Sequence, residues 1–178
     1  MGHRRISVRL GNALGAAGTV IALSLPFIAQ SIQSDLPRFL FYLLSVGCLE
    51  FFPHGLAHFL VGRTVGIKFR YYFWGRSGVA RLHLPLISGL ASLMPVLTLK
   101  VSKLSLQSVS RARRAAMYAS GAVASMCLPL IPIIMALGHL STAQSGVLLL
   151  LALLNMALDL YYSPRAGDLA RARSSLLT

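Results

Sequence analysis

The stretch that decides the fold is Glu50-Phe51-Phe52-Pro53-His54-Gly55-Leu56-Ala57-His58. The four-residue spacing places His54 and His58 on one face of a helix, one turn apart, as in sites where two imidazoles bind one divalent metal ion. Apolar residues on both sides extend the segment to about 39–61, long enough to cross the ~30 Å hydrocarbon core of a bilayer. Pro53 removes a backbone hydrogen bond just before His54 and predicts a local kink. Alternatively, the histidines hydrogen-bond to neighbouring helices or reach the membrane interface.

The composition indicates an integral membrane protein. Hydrophobic residues make up 56% of the 178 residues, and charged residues 12%, about half the fraction in soluble domains. The formal net charge is +13. Because the basic residues lie between apolar segments, as in cytoplasmic loops of membrane proteins, the charge does not favour nucleic-acid binding. Cys48 and Cys127 show no C-x-x-C spacing and are expected to be buried, small apolar residues.

The predicted fold is an all-α, polytopic membrane protein with one domain over residues 1–178. We expect the first apolar segment to be an uncleaved span, and the third to pack closely through Ala116, Ser120 and Ala124. Residues 68–83 mix basic and aromatic side chains and predict strands around a turn, a small β segment on the cytoplasmic side. Residues 84–99 are short for a span and predict a possible re-entrant segment. The four expected spans are 11–30, 39–61, 115–137 and 145–162.

The distribution of charge predicts the orientation. Three Arg precede the first span, ten Lys or Arg lie between Arg63 and Arg114, and three follow Pro164, whereas the opposite side receives only Arg38. The positive-inside rule therefore predicts a multi-pass protein with both termini in the cytoplasm. In this orientation the histidine pair and the region 159–168 both approach the cytoplasmic face.

The few acidic residues supply candidates for a third metal ligand. An acid in hydrocarbon costs about 2.5 to 3.5 kcal/mol, so acids within spans indicate function. A zinc site needs three or four N, S or O ligands, and either Asp168 or Asp159 can complete the histidine pair. His3, His83 and His139 have no partner at ligand spacing and are expected at the surface or interface.

The order of these elements resembles the site-2 protease family of intramembrane zinc metalloproteases (peptidase family M50). The family's H-E-x-x-H helix is similar to His54-Gly55-Leu56-Ala57-His58, and residues 119–125 stand where the family has a Gly-Pro-x-x-Asn element. Asn155 and the run 164–168 resemble its closing Asn, Pro and metal-binding Asp-Gly. The resemblance implies Zn²⁺ bound by His54, His58 and Asp168, which it favours over Asp159. It also implies hydrolysis of transmembrane peptide segments.

The sequence departs from the family at the general base. Gly55 stands at the position of the catalytic Glu, and the third-span element lacks its Pro and its Asn. Loss of a general base costs about 10² to 10⁴ in rate and leaves metal binding intact. Glu50 lies about 6 Å along the helix axis from His54, which favours an orienting role over replacement of the base.

Three functions therefore stay open. The first is an intramembrane metallopeptidase, or a degenerate relative of one, that acts on transmembrane segments, which it captures as an added strand at the 68–83 segment. The second is a pseudoprotease that binds and regulates membrane proteins without cleaving them. The third is a membrane haem or ion-carrying protein that uses His54, His58 and His139.

Overall fold

The computed structural model describes residues 5–76 and 95–177, which form helices and one small sheet. Their bounds, in chain order, are β1 Arg5–Ile6, α1 Val8–Gln30, α2 Asp35–Thr64, β2 Phe69–Arg76, β3 Pro95–Val101, α3 Lys103–Gln107, α4 Arg111–Cys127, α5 Leu130–Ala136, α6 Thr142–Ala166 and α7 Asp168–Leu177.

Four helical segments are long and apolar enough to cross a membrane. They are α1, α2, the region 111–136 that contains α4 and α5, and the region 142–177 that contains α6 and α7. These segments correspond to the four expected spans, so the mostly helical fold class is confirmed. Many large apolar side chains are exposed, among them Leu149, Leu150 and Leu151 on α6, as expected for surfaces that face lipid.

Helix α1 packs against α2 through a face of glycines. Gly11, Gly15 and Gly18 are buried at spacings of four and three residues. The Phe52 ring lies where a Cβ at Gly18 would stand, and the Tyr72 ring does the same at Gly11. The missing side chains therefore let α2 and β2 approach the α1 backbone closely.

An apolar core fills the end of the bundle where α2 begins. It joins α1, α2, α5 and α6 through the buried residues Ala29, Tyr42, Val46, Ile133, Ala136, Leu148 and Ala152. The Tyr42 hydroxyl donates to the Met135 carbonyl at 3.2 Å, and the Arg38 guanidinium donates to the His139 carbonyl at 2.9 Å. This end of the bundle is therefore fixed by packing and by polar contacts to the α5–α6 connection.

The small sheet confirms part of one sequence-based expectation and corrects part of another. Its strand order is β1-β2-β3 with antiparallel pairs, and Tyr72 of β2 lies opposite Leu99 of β3. The predicted β segment over 68–83 is confirmed for Phe69–Arg76, which form β2 and pair with β3, and the rest of that segment lies outside the described ranges. The prediction of a re-entrant segment over 84–99 is wrong for 95–99, where β3 begins because backbone pairing with β2 prevails over apolar composition; its other residues lie outside the described ranges.

The third span differs from the prediction in two respects. It is interrupted between α4 and α5 at Leu128 and Pro129. Its close-packed face consists of Gly121, Ala122 and Ser125, whereas Ala116 is exposed, so the small residues that matter are offset by one position from the expected series. Both series share a period of four, and only the neighbouring helices determine which one is buried.

Candidate metal site

The histidine pair lies in the middle of a continuous helix. Pro53 is accommodated within α2 without ending it, and the predicted spacing places His54 and His58 one turn apart. The two Nε2 atoms are 3.3 Å from each other, and the rings meet nearly edge to face. The His58 side chain is 11% exposed and that of His54 33%, so the site is more open on the His54 side.

Asp168 is the first residue of α7 and follows the break at Gly167 that separates this helix from α6. Its Oδ2 atom is 3.0 Å from His54 Nε2 and 3.2 Å from His58 Nε2. The buried Ser163 hydroxyl accepts a hydrogen bond from the Leu169 N–H and so caps the start of α7. Gly167 is required in this turn, since a Cβ there would lie 2.7 Å from the Ser163 Cα atom.

Helix α4 packs against both histidines. A Cβ at Gly121 would lie 2.3 Å from His58 Nε2, so only glycine leaves room for this imidazole. On the same face, the Met117 carbonyl is 2.7 Å from His58 Nδ1, and the Ser125 hydroxyl is 2.9 Å from His54 Nδ1.

These contacts fix the imidazole tautomers. A carbonyl oxygen only accepts hydrogen bonds, so His58 Nδ1 carries a hydrogen and donates it to Met117. The Ser125 hydroxyl donates its hydrogen to the Glu50 carbonyl at 2.9 Å, and its oxygen therefore accepts from His54 Nδ1. Each neutral imidazole consequently directs the lone pair of Nε2 toward Asp168.

Three electron-pair donors thus converge with no hydrogen between them when the imidazoles are neutral. Their mutual distances are 3.0, 3.2 and 3.3 Å. A tetrahedral zinc ion with ligands at about 2.0 to 2.1 Å requires ligand atoms about 3.3 to 3.4 Å apart. The group His54, His58 and Asp168 could therefore hold a metal ion, and the donor set leaves a fourth position open.

The structure distinguishes the two candidate aspartates. Asp168 belongs to the ligand group, whereas Asp159 is half-buried on α6 and interacts electrostatically with His54 and Asp168. Glu50 is half-buried one turn before His54, and its side chain interacts electrostatically with Asp159. The Glu50 backbone carbonyl accepts a hydrogen bond from the Ser125 hydroxyl, which in turn contacts His54 Nδ1. The backbone of Glu50, rather than its carboxylate, therefore helps to orient His54.

His139 does not join the group. The His139 carbonyl contacts Arg38, which precedes His54 by 16 residues or about 24 Å of helix. His139 is therefore remote from the pair, and the three-histidine arrangement expected for a haem or ion carrier is not formed. His3 and His83 lie outside the described residues.

Gly55 faces β2. A Cβ at this position would lie 3.3 Å from Tyr72 Cε1 and 3.8 Å from the Tyr72 hydroxyl. Tyr72 is 1% exposed, its hydroxyl donates to Asn12 Oδ1 at 2.8 Å, and burial raises its pKa to about 12. A buried aromatic ring thus covers the position at which the resembled family carries its general base.

Sequence reasoning missed Gly121, Ser125 and Tyr72 as parts of the site. Gly121 and Ser125 lie within 119–125, which stand where the site-2 protease family has a Gly-Pro-x-x-Asn element, and this correspondence was the available signal. No signal pointed to Tyr72, because its contact with Gly55 joins a strand to a helix 17 residues away. No protein-family model matches the chain, and no curated protein or solved structure is significantly similar to it.

Proposed function

We propose that this chain is a zinc-binding membrane protein of the site-2 protease type, either an intramembrane metallopeptidase or a degenerate relative of one. The observation that carries the proposal is the convergence of His54 Nε2, His58 Nε2 and Asp168 Oδ2 within 3.3 Å of one another. Zinc suits two imidazoles and one carboxylate, and catalytic zinc sites commonly have three protein ligands and an open position.

The chain's own groups prepare the ligands for this role. Met117 and Ser125 orient the two rings, as second partners of ligating histidines usually do. When bound, a zinc ion supplies Lewis-acid polarisation of a carbonyl group and lowers the pKa of a water molecule. The greater exposure of His54 favours entry of a substrate from that side of the site.

The substrate class follows from the surroundings of the site. Its ligands lie on segments apolar enough to span a membrane, so the proposed substrate is a transmembrane peptide segment. Of the described strands, β3 lies at an edge of the sheet, and its outer edge offers a place where such a segment can be captured as an added strand. Multiple membrane passes with both termini in the cytoplasm belong to the same proposal and follow from the distribution of Lys and Arg.

A second function is favoured by one specific observation. The Tyr72 ring packs against Gly55, and its hydroxyl is held by Asn12, so the space beside the ligands is filled where a general base is expected. This arrangement favours a pseudoprotease that binds transmembrane segments and regulates their proteins without cleaving them.

The zinc content of the purified protein tests the metal site that both proposed functions share. Detergent-purified protein should contain about one zinc per chain, and His54→Ala or Asp168→Ala should abolish binding. Asp159→Ala is the matched control, because Asp159 lies outside the ligand group. Well-folded protein without zinc affinity, or equal losses in the two aspartate variants, would contradict the proposed site.

Restoring the base separates the two functions. The double variant Gly55→Glu with Tyr72→Ala introduces the carboxylate and removes the ring that would lie 3.3 Å from its Cβ. If the site lacks only a base, this variant should cleave a transmembrane peptide and Gly55→Gln with Tyr72→Ala should not. A zinc-loaded double variant that binds the peptide without cleaving it would favour the pseudoprotease.

A further inference from the structure

Two arginines lie on the helices that form the site, Arg171 one turn after the ligand Asp168 and Arg114 about one turn before Met117, whose carbonyl contacts His58. Arg114 shares the α4 face of Tyr118, Gly121 and Ser125, at successive spacings of four, three and four residues. On α7, Arg171 follows Asp168 by three residues, and its Nη1 atom is 3.4 Å from Asp168 Oδ1.

The packing of α4 against α7 brings these groups into one neighbourhood. Tyr118 interacts electrostatically with Arg114, with Arg171 and with Asp168. On α7 the buried residues are Ala172 and Ser175, so Arg171 lies at the border of the contact between the two helices. Both arginines therefore lie near Tyr118, at the contact between α4 and α7.

The Arg114 guanidinium has unused hydrogen-bonding capacity. Its Nε atom is buried, and no acceptor for it exists within the part of the chain that the structure describes. Buried donors are nearly always paired, so an unpaired one calls for a partner. Arg171 is 60% exposed and contacts Asp168 only at 3.4 Å, which leaves its remaining donors available.

We propose that Arg114 and Arg171 form an anion-binding rim that holds a carboxylate of the substrate segment beside the metal site. This inference rests on the proposed function and specifies its substrate: a transmembrane segment with an Asp or Glu next to its apolar run. Arginine suits this task because its planar fork donates two parallel hydrogen bonds to a carboxylate.

A lipid headgroup fits the observations less well. Headgroups contact exposed basic side chains at the surface, such as Arg113 and Arg173 on the outer faces of the same helices. The Arg114 Nε atom is buried, so a group that satisfies it has to enter between the helices. Arg171 is itself 60% exposed, so the preference for a ligand held within the site rests on the buried Arg114 Nε atom.

Peptide binding tests this inference independently of cleavage. Zinc-loaded full-length protein in phosphatidylcholine nanodiscs is titrated with two fluorescent transmembrane peptides that differ only in one Asp or Asn after the apolar run. We expect the Asp peptide to bind about 10-fold more tightly, the effect of a charge-assisted hydrogen bond. Arg114→Gln and Arg171→Gln should each reduce this preference, and the double variant should remove it.

Matched control variants and a charge-conserving variant make the test decisive. Arg113→Gln and Arg173→Gln remove the same charge from exposed positions and should retain the preference. Arg114→Lys keeps the charge without the fork and should retain only part of it. Equal binding of the two peptides to wild-type protein, or equal losses in rim and control variants, would overturn the proposal.

Lipid and metal are measured on the same samples. Co-purification of phosphatidylglycerol that depends on Arg114, together with no peptide preference, would assign the rim to lipid and overturn the proposal. Zinc content reports the proposed function separately: peptide preference without any zinc affinity would contradict the metal site, and zinc binding without preference would contradict the rim alone.

Discussion

Gly121→Ala should abolish tight metal binding without touching a ligand. The added Cβ would lie 2.3 Å from His58 Nε2, 2.5 Å from Cε1 and 2.8 Å from Cδ2. Ordinary contacts are about 3.5 Å, so the imidazole has to move by about 1 Å. Metal–ligand distances tolerate only about 0.2 Å, so His58 would cease to be a ligand.

The magnitude follows from this displacement. Disturbing an outer partner of a ligand costs about 10- to 100-fold in metal affinity, and loss of a ligand should exceed that range. We therefore expect zinc affinity to fall at least about 100-fold, or about 2.8 kcal/mol. Overpacking should also lower the free energy of unfolding of the metal-free protein by about 1 to 3 kcal/mol.

Competition against a chromophoric chelator measures the affinity, and thermal unfolding in detergent measures the stability. Gly47→Ala is the matched control, because no atom lies within 4 Å of its added Cβ, and it should change neither quantity. Zinc binding by Gly121→Ala within about threefold of wild type would refute the arrangement of α4 against the histidines.

Three further changes test other contacts of the site. Ser125→Ala removes the acceptor of the His54 Nδ1 hydrogen and should weaken zinc binding about 10- to 100-fold, whereas Ser24→Ala, which loses only an exposed hydroxyl contact within α1, should not. Gly167→Ala forces a Cβ to within 2.7 Å of a backbone atom in the α6–α7 turn and should lower both zinc affinity and stability, whereas Gly146→Ala, with open space around its Cβ, should change neither. Tyr72→Phe should remove one late-ionising tyrosine, with a pKa of about 12, from the ultraviolet absorbance titration. This pKa is raised above the ordinary value of about 10, so the stabilising contribution of the neutral hydroxyl should be complete below pH 10 and should disappear as the pH rises toward 12. The free energy of unfolding of the variant should lack this pH-dependent contribution.

Local patterns were sufficient to predict the helices and one part of the site. The apolar segments and their lengths predicted four helical segments of membrane-spanning length, and the i, i+4 spacing placed His54 and His58 on one face. The choice between Asp159 and Asp168 required the break at Gly167, where the chain passes close to Ser163 and α7 begins beside the histidines. A resemblance in sequence order favoured Asp168, but only the folded turn brings its carboxylate within 3.2 Å of both rings.

The contacts that sequence reasoning missed all depend on pairing between distant segments. Nothing within 95–101 distinguishes a strand from a short apolar segment until β2 supplies its backbone partners. Likewise, the α4 series beginning at Ala116 and the series through Gly121 have the same spacing, and only the position of the His58 ring identifies the buried one. The role of Gly55 is hidden for the same reason, since Tyr72 reaches it from another element.

Under the proposed function, the polar contacts of the site would link cation binding to the folded state. Met117 and Ser125 hold both imidazoles in the tautomer that directs a lone pair at Asp168, and three such donors repel one another at 3.0 to 3.3 Å. The exposed Arg171 guanidinium is 3.4 Å from the Asp168 carboxylate, and ion pairs of this kind contribute at most about 1 kcal/mol. A divalent ion instead neutralises all three donors at once and links α2 to α7 directly. Metal binding and the docking of α7 should therefore be one event, so that chelation loosens the C-terminal helix and zinc raises the unfolding temperature in a concentration-dependent manner.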